Sequence, residues 1–361
     1  MNNKLLLNFI CKDEAKNIER MLESAQPWIV GCVCTDTGST DDTPFMIEAF
    51  FRAHNKPCII THEPFIDYSQ ARNAALRAAR ASGIGYDYLL FLDCDHELMV
   101  AKEGLLELEA AAYNVIQEAG QLRFTNIRLL RQDMPIEYVG RTHEALILPD
   151  DIQVWGMGDD ILWVRDHETG PNRNDKFERD MRLLELDFAD DPQNPRTLFY
   201  LAQTLRGAAR YAESREWSAK RIAMLPQNEE VWWSMLSSAQ CGDMLELDAA
   251  TVSREYLMTF LFSTKRAEPL YYLGAYHRRH EEYQLAILYS RAAALMPNSR
   301  EAFITDKNVC EWLALDDWLA LALILDMGAD ARHAAKMLKD RKIPDNERER
   351  IKNNLALVEK L

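Results

Sequence analysis

Tyr88-Leu89-Leu90-Phe91-Leu92-Asp93-Cys94-Asp95 reads as an apolar run of strand length that ends on two carboxylates one residue apart. A buried strand that emerges into such a pair asks for a cation. Hard divalent ions such as Mg²⁺ and Mn²⁺ prefer carboxylate oxygens and leave coordination positions that substrate phosphates can fill. Short acidic patterns also arise by chance, so the stretch takes its meaning from what surrounds it. On its N-terminal side, strand-length apolar runs alternate with helical patterns: Leu5 to Cys11 then Ala15 to Ser24, Gly31 to Thr35 then Pro44 to Phe51, Cys58 to Thr61 then Gln70 to Ala81. This alternation predicts βαβ units, an α/β class and a mainly parallel sheet with flanking helices, in which Tyr88 to Leu92 is the fourth and most buried strand. Ligands of open α/β sheets bind outside the carboxyl ends of the strands. Those ends carry Lys12-Asp13-Glu14, Asp36-Thr37-Gly38-Ser39 and Asp93-Cys94-Asp95.

The chain changes character near residue 175. From there it is helical, with apolar residues at helical spacing over Phe177 to Phe188 and a break at Asp190-Asp191-Pro192-Gln193-Asn194-Pro195. Leu201-Ala202, Tyr211-Ala212 and Met224-Leu225-Pro226 are echoed by Leu273-Gly274, Tyr283 and Leu295-Met296-Pro297, about two tetratricopeptide periods of roughly 34 residues later. A degenerate unit from Trp232-Trp233 to Lys265 fits between them. Helical hairpins of this kind bury their apolar stripes by stacking, which predicts an all-α, tetratricopeptide-like C-terminal domain. The segment Ala302 to Leu361 can cap the stack or pair with a second copy, giving a homo-oligomer. We therefore expect two domains, 1–175 and 176–361.

Composition narrows the classes. A chain of 361 residues with 48% hydrophobic content supports two real cores, and a net charge of −15 argues against a nucleic-acid partner, which needs a basic face. Cys11, Cys32, Cys34, Cys58, Cys94, Cys241 and Cys310 show neither a C-x-x-C pair nor a disulfide-framework spacing, as expected of free thiols in a reducing, cytoplasmic setting. The run Leu5 to Ile10 is too short for a membrane span and lacks a small-residue cleavage site after it.

Several segments resemble family 2 glycosyltransferases with the GT-A fold. Leu7 to Ile18 is similar to their opening strand and turn, Asp36-Thr37-Gly38-Ser39-Thr40-Asp41-Asp42-Thr43 to their "D-T-G-S-T-D-G-T" segment, and Ser69 to Leu76 to their "A-R-N" helix start. Asp93-Cys94-Asp95-His96-Glu97 resembles the metal-binding "D-A-D-E", with His96 standing where that pattern has an acidic or small residue. Arg128-Leu129-Leu130-Arg131 and Gly140-Arg141-Thr142-His143-Glu144 look like elements of a subgroup in which tetratricopeptide-like helices follow the transferase domain. The resemblance covers roughly residues 4–180 in family order.

It implies a metal-dependent, inverting hexosyl- or pentosyltransferase. The donor would be a nucleotide diphosphate sugar, a UDP-sugar first among the class, and the acceptor a peptide, a glycan or another small molecule. Asp36 would accept hydrogen bonds from the base or ribose, although an N-capping role is its structural alternative. Gly38 and Ser39 would let backbone approach the nucleotide. Arg72 opposes the dipole at a helix start, so it needs a partner, either the diphosphate or an aspartate. Asp95 is the first expected metal ligand and His143 the second, with Mn²⁺ suiting an imidazole better than Mg²⁺ does. Asp93 is assigned to ribose or to a metal-bound water, and Asn73 to structure. Lys12, Glu14, His167, Lys176 and Arg179 complete the expected substrate pocket, His167 on a loop that would close over the diphosphate. Direct displacement calls for a base, for which Glu144 leads Asp133 and Asp166. Two other readings stay open: an interaction scaffold with an inactive transferase domain, and a nucleotidyltransferase, although residues 8–18 lack the glycine-rich phosphate loop the latter would need.

Overall fold

The structure, a computed structural model, describes residues 3–101, 107–149, 151–170, 176–297 and 304–360. It divides into two compact units, Met1–Pro192 and Gln193–Leu361. The boundary expected near residue 175 and the opening of the final segment at Ala302 lie outside the described residues.

The first unit is built on one mixed sheet. Strands β1 (Leu5–Cys11), β2 (Ile29–Asp36), β3 (Cys58–His62) and β4 (Tyr88–Phe91) are parallel and stand in the order β3-β2-β1-β4. Helices α1 (Ile18–Ala25), α2 (Thr43–Ala53) and α3 (Tyr68–Ala81) connect them. Both faces are covered, so the strands are apolar throughout instead of alternating. On β1, Leu5, Leu7, Phe9 and Cys11 face the α1 and α2 side, where they meet Ile18, Met21, Leu22, Ile47 and Phe51. Leu6 points the other way, toward Leu76 and Ala79 of α3. Asn8 shares the α3 face and is satisfied there, donating to the carbonyls of Val33 and Ala75, both at 2.9 Å.

Beyond β4 the sheet is no longer parallel. It continues β7-β6-β11-β5, with β5 (His96–Val100), β6 (Ala112–Ala119), β7 (Leu122–Arg131) and β11 (Leu162–Asp166). β7 runs antiparallel to β4 and to β6, and β11 antiparallel to β5, while β11 and β6 are parallel. The short strands β8 (Tyr138–Val139) and β9 (Ala145–Leu146) form a separate hairpin, and β10 (Val154–Gly156) lies beside β6. Helix α4 (Lys176–Asp190) is counted with this unit, where Asp187 accepts from the backbone N–H of Arg141 at 3.1 Å and from its guanidinium at 2.7 Å.

The second unit is a run of helical hairpins: α5 (Pro195–Gly207) with α6 (Tyr211–Ile222), α7 (Glu229–Met244) with α8 (Ala249–Phe262), and α9 (Glu268–Arg279) with α10 (Tyr283–Ala294). Asn194, Asn228 and Asp248 cap α5, α7 and α8 by accepting backbone N–H groups of the first turn. Polar side chains 34 residues apart bond across equivalent helices, Arg196 to Glu230, Gln203 to Ser237 and Arg206 to Gln240, the spacing expected of a tetratricopeptide repeat. Trp232, Trp233 and Tyr271 are buried in the stack. A wide turn at Val309–Leu313 leads into α11 (Ala314–Ile324), α12 (Gly328–Leu338) and α13 (Asp345–Val358). Their Trp318, Leu319, Ala331, Leu338 and Ile351 share one apolar cluster with Ala286 and Ile287 of α10, so the final segment closes this end of the stack.

Candidate active site

Parallel register decides where the polar residues gather. Cys11 pairs with Asp36, and Asn8 with Phe91, so the turns after β1, β2 and β4 leave the same edge of the sheet. There Asp36 holds the Gly38-Ser39 turn: its carboxylate accepts from Ser39 N at 3.1 Å and from Ser39 Oγ, with Cys11 Sγ at 3.9 Å and His62 Nδ1 at 3.3 Å. Gly38 has φ +105°, a conformation that favours glycine. Ser39 Oγ also accepts from the N–H of Asp13, and Asp13 accepts from Thr40 N and Oγ1, which joins the β1 turn to the β2 turn. Asp36 therefore orders this turn, while the helix start at Thr43 is served by Asp41. Lys12 follows directly on β1.

A second group centres on Arg72, one turn into α3, a helix started by Asp67 accepting from Gln70 N. Its guanidinium donates to Asp93 Oδ1 at 2.6 Å and to Glu144 Oε1. The partner its position calls for is thus a carboxylate pair. Asn73 fixes the hairpin that delivers Glu144, donating to Tyr138 O at 2.9 Å and accepting from Tyr138 N at 2.7 Å. Arg128 of β7 approaches Asp93 Oδ2 at 3.5 Å. Burial works against the Asp93 charge, yet the Arg72 guanidinium, with Arg128 beside it, holds its carboxyl far below the usual range.

The third group is the cation candidate. Because Asp166, the last residue of β11, pairs with His96, the first of β5, strand pairing carries it to the acidic pair. Ligand atoms of Asp95, His96 and Asp166 lie within 4.8 Å of one another. Burial, followed by Asp166 and Asp93, raises the Asp95 carboxyl above its ordinary value, the repulsion that a cation relieves. His96 is 2% exposed and burial pushes its imidazole down to about 4, so the ring is neutral near pH 7 and carries one proton. Its Nδ1 accepts from the backbone N–H of Asp93 at 2.9 Å. The proton then sits on Nε2, which lies 3.3 Å from Asp93 Oδ2, 3.8 Å from Asp166 Oδ2 and 3.3 Å from Gln117 Nε2. The residues fit a hard divalent ion through the two carboxylates of Asp95 and Asp166, with His96 orienting carboxylates. Glu14 flanks this group. Burial, with Asp95, Asp93 and Asp41 adding repulsion, pushes its carboxyl up to about 7 despite a hydrogen bond from Asn17.

The loop after β11 lies over the group. His167 N donates to Asp95 O at 3.2 Å and Gly170 N to Asp95 Oδ2 at 3.2 Å, while Thr169 and Asn17 exchange two hydrogen bonds. The His167 ring meets Glu97 Oε2 at 2.8 Å. Lys176 and Arg179 open α4, with Arg179 over the Tyr68 ring and 3.4 Å from Asp180. His143 sits in the β8–β9 turn at φ +50° and is not one of the three clustered ligands. Asp133 is not brought to the site. β7 runs antiparallel to β4, so Asp133 follows Arg131 at the Tyr88 end of β4, the opposite edge of the sheet, paired with Arg131 at 2.7 Å. Two side chains that were not among the expected site residues, Gln117 and Arg128, stand behind the site: Gln117 donates to Asp166 Oδ2 at 3.0 Å and accepts from Arg128. Arg128 opens the Arg128-Leu129-Leu130-Arg131 segment that resembles a family element, whereas the signal for Gln117 was a polar residue inside an apolar strand.

Residues 9–122 match the family model Glycosyl transferase family 2. A protein of Synechococcus elongatus named as a TPR repeat-containing protein is 29% identical over 223 residues, covering 56% of this chain and 51% of that protein, so the chain spans about half the length of this curated relative. Among solved structures, MamA from Desulfovibrio magneticus RS-1 is similar at 14% identity and TM-score 0.35, covering 46% of this chain and 84% of that one. PilF of Pseudomonas aeruginosa is similar at 14% identity and TM-score 0.34, covering 44% and 65%. Scores this low leave the description of the helical unit to its own helix pairing and its 34-residue ladder. No described helix is long and apolar enough to cross a membrane.

Proposed function

We propose, from the premise that residues 9–122 make a family 2 glycosyl transferase domain, that this protein moves a sugar from a nucleotide diphosphate donor to an acceptor nucleophile, with inversion and with a divalent cation. The observation that carries the reading is the convergence of Asp95 and Asp166, ligand atoms within 4.8 Å, beside the Asp36 turn and the Arg72 group on one sheet edge. Sugar departure leaves negative charge on a diphosphate, and a cation held by Asp95 and Asp166 supplies Lewis-acid stabilisation of that charge when bound. The Asp36 carboxylate, on its His62 side, accepts from the base or ribose, and the Gly38-Ser39 turn lets the nucleotide come close. Arg72 keeps Asp93 ionised and sets the orientation of Glu144. Of the three carboxylates considered as acceptor base, Asp166 goes to the cation and Asp133 to the far edge, so the role falls to Glu144. The 166–170 loop, tied to Asp95 and Asn17, keeps water from the reacting centre. A UDP-sugar donor, Mn²⁺ as the cation and a cytoplasmic setting belong to the same proposal.

The test is a donor-hydrolysis panel across nucleotide sugars with Mn²⁺ or Mg²⁺, repeated with Asp95→Ala. Metal-dependent hydrolysis of one donor class, lost in the variant, is expected. Hydrolysis indifferent to the substitution would put the cation elsewhere. If no nucleotide diphosphate plus Mn²⁺ raises the melting temperature, the enzyme reading fails and the helical hairpins favour an interaction scaffold, in line with a relative named for TPR repeats.

A further inference from the structure

Beneath the site, the first unit carries thiols that the proposed transfer does not use. Cys32 of β2 and Cys58 of β3 are directly paired residues in the parallel register, and their sulfurs lie 3.2 Å apart. The backbone around them is closed. Cys32 N donates to Pro57 O at 3.0 Å, and a Cβ on the neighbouring Gly31 would stand only 2.6 Å from that same oxygen. Neighbouring strands lie about 4.8 Å apart, inside the Cα separation of roughly 4.4–6.8 Å that a disulfide spans. Joining the two sulfurs thus calls for side-chain rotation and no movement of the strands. The Cys34 side chain also touches Cys32 and Cys11, but neither Cys11 nor Cys34 faces a cysteine across the strands: Cys11 pairs with Asp36, and Cys34 with Phe9 and Ile60.

Access separates the two roles. Cys32 is fully buried, whereas Cys58, at the mouth of β3, is partly exposed. Burial also raises the Cys32 thiol well above its ordinary value, and its partial exposure makes Cys58 the sulfur that a small oxidant meets first.

We propose that Cys32 and Cys58 are a covalent modification site, closed to a reversible disulfide by a peroxide. The Cys58 thiolate attacks one oxygen of hydrogen peroxide, the O–O bond breaks, and hydroxide leaves to become water, with Cys58 now a sulfenic acid. Cys32 sulfur then attacks Cys58 sulfur, the S–O bond breaks, and a second water departs with the Cys32 proton. Two thiols lose two electrons and the peroxide takes them up. The bond ties the β2–α2–β3 segment into a ring that includes the Asp36–Ser39 turn, so the oxidised chain should melt at a higher temperature.

The full chain, reduced and then exposed to hydrogen peroxide, is alkylated, digested without reductant and read by mass spectrometry. A Cys32–Cys58 linked peptide that dithiothreitol abolishes is expected, with a raised melting temperature before reduction. Cys58→Ser should yield no linked peptide and keep Cys32 as a thiol that alkylates only after denaturation. The wild-type digest decides by itself: a Cys58 thiol that survives peroxide, or one recovered as sulfinic acid or as an intermolecular disulfide while Cys32 stays reduced, overturns the proposal.

Discussion

Arg72 on α3 and Asp93 at the exit of β4 meet at 2.6 Å, the side chain of Arg72 only 14% exposed. The same guanidinium holds Glu144, so one side chain ties a helix, a strand exit and a hairpin turn together. Removing a partner from such a pair leaves the other charge half-buried and alone, which costs more than the pair contributes. Arg72→Ala is expected to lower stability by about 2–4 kcal/mol, seen in chemical denaturation. It should also cut donor turnover about 100-fold or more. Arg72→Lys keeps the charge but not the fork and should recover stability better than turnover.

The division of roles between Asp95 and His96 is separable by metal titration. If His96 donates from Nε2, then His96→Gln keeps a donor near Asp93 and Asp166 and retains a Mn²⁺-dependent rise in melting temperature. Asp95→Asn removes a ligand and abolishes that rise, which for the wild type corresponds to about 2–3 kcal/mol at a hundredfold excess over Kd. Without metal, Asp95→Asn should be no less stable than wild type, because burial and its acidic neighbours already disfavour the Asp95 charge. Loss of the Mn²⁺ response in His96→Gln with unchanged circular dichroism would make the imidazole a ligand.

Legibility in the sequence followed the range of the interactions. The β1 to β4 half could be read because each strand is apolar on both faces and each is followed by its own helix, so local pattern and topology agree. The far half could not: β6 and β7 form a local antiparallel hairpin, but β11 pairs antiparallel with β5 and parallel with β6 across distant segments, and no local period says that Asp166 must land opposite His96. That pairing is why Asp166, expected behind Glu144 as a base, stands in the cation group, while the antiparallel pairing of β7 with β4 is why Asp133, near in sequence to Arg128, lies on the other edge. His96 looked like a departure from a family pattern, and its buried ring stands beside two carboxylates. The repeat, by contrast, was visible at long range because its period is written in the chain.

Asp317 of α11 gives the helical unit a pH dependence of definite sign. It is 4% exposed, its Oδ1 lies 3.3 Å from Arg278 and its Oδ2 is a buried acceptor without a hydrogen bond. Burial pushes the carboxyl up to about 6. A carboxyl whose folded value exceeds its unfolded value near 4 binds its proton better in the fold, so stability falls as pH rises from about 4 to about 6 and stays lower above that. Asp317→Asn is expected to remove this loss, on the order of 2 kcal/mol, raising the melting temperature at pH 7.5 and leaving it little changed at pH 4.5. An equal effect at both pH values would assign the change to packing.

Gly274 tests the hairpin packing of α9 against α10. A Cβ there would stand 2.5 Å from Ser290 Oγ, 3.0 Å from Ser290 N and 3.2 Å from the Ala286 carbonyl. Helix propensity favours Gly274→Ala by up to about 1 kcal/mol, but forcing a methyl into a filled contact costs about 1–3 kcal/mol. The clash should win, with a net loss of about 1 kcal/mol. Ser290 Oγ is buried without a hydrogen-bond partner, so Ser290→Ala gives up little and clears the tightest of the three contacts. The two changes should therefore be non-additive: Gly274→Ala in the Ser290→Ala background is expected to recover a measurable part of the loss, because the remaining contacts are with backbone that two helices hold in place. Additive losses in a double-mutant cycle followed by urea denaturation would mean that the Ser290 hydroxyl is not what keeps a side chain out of position 274.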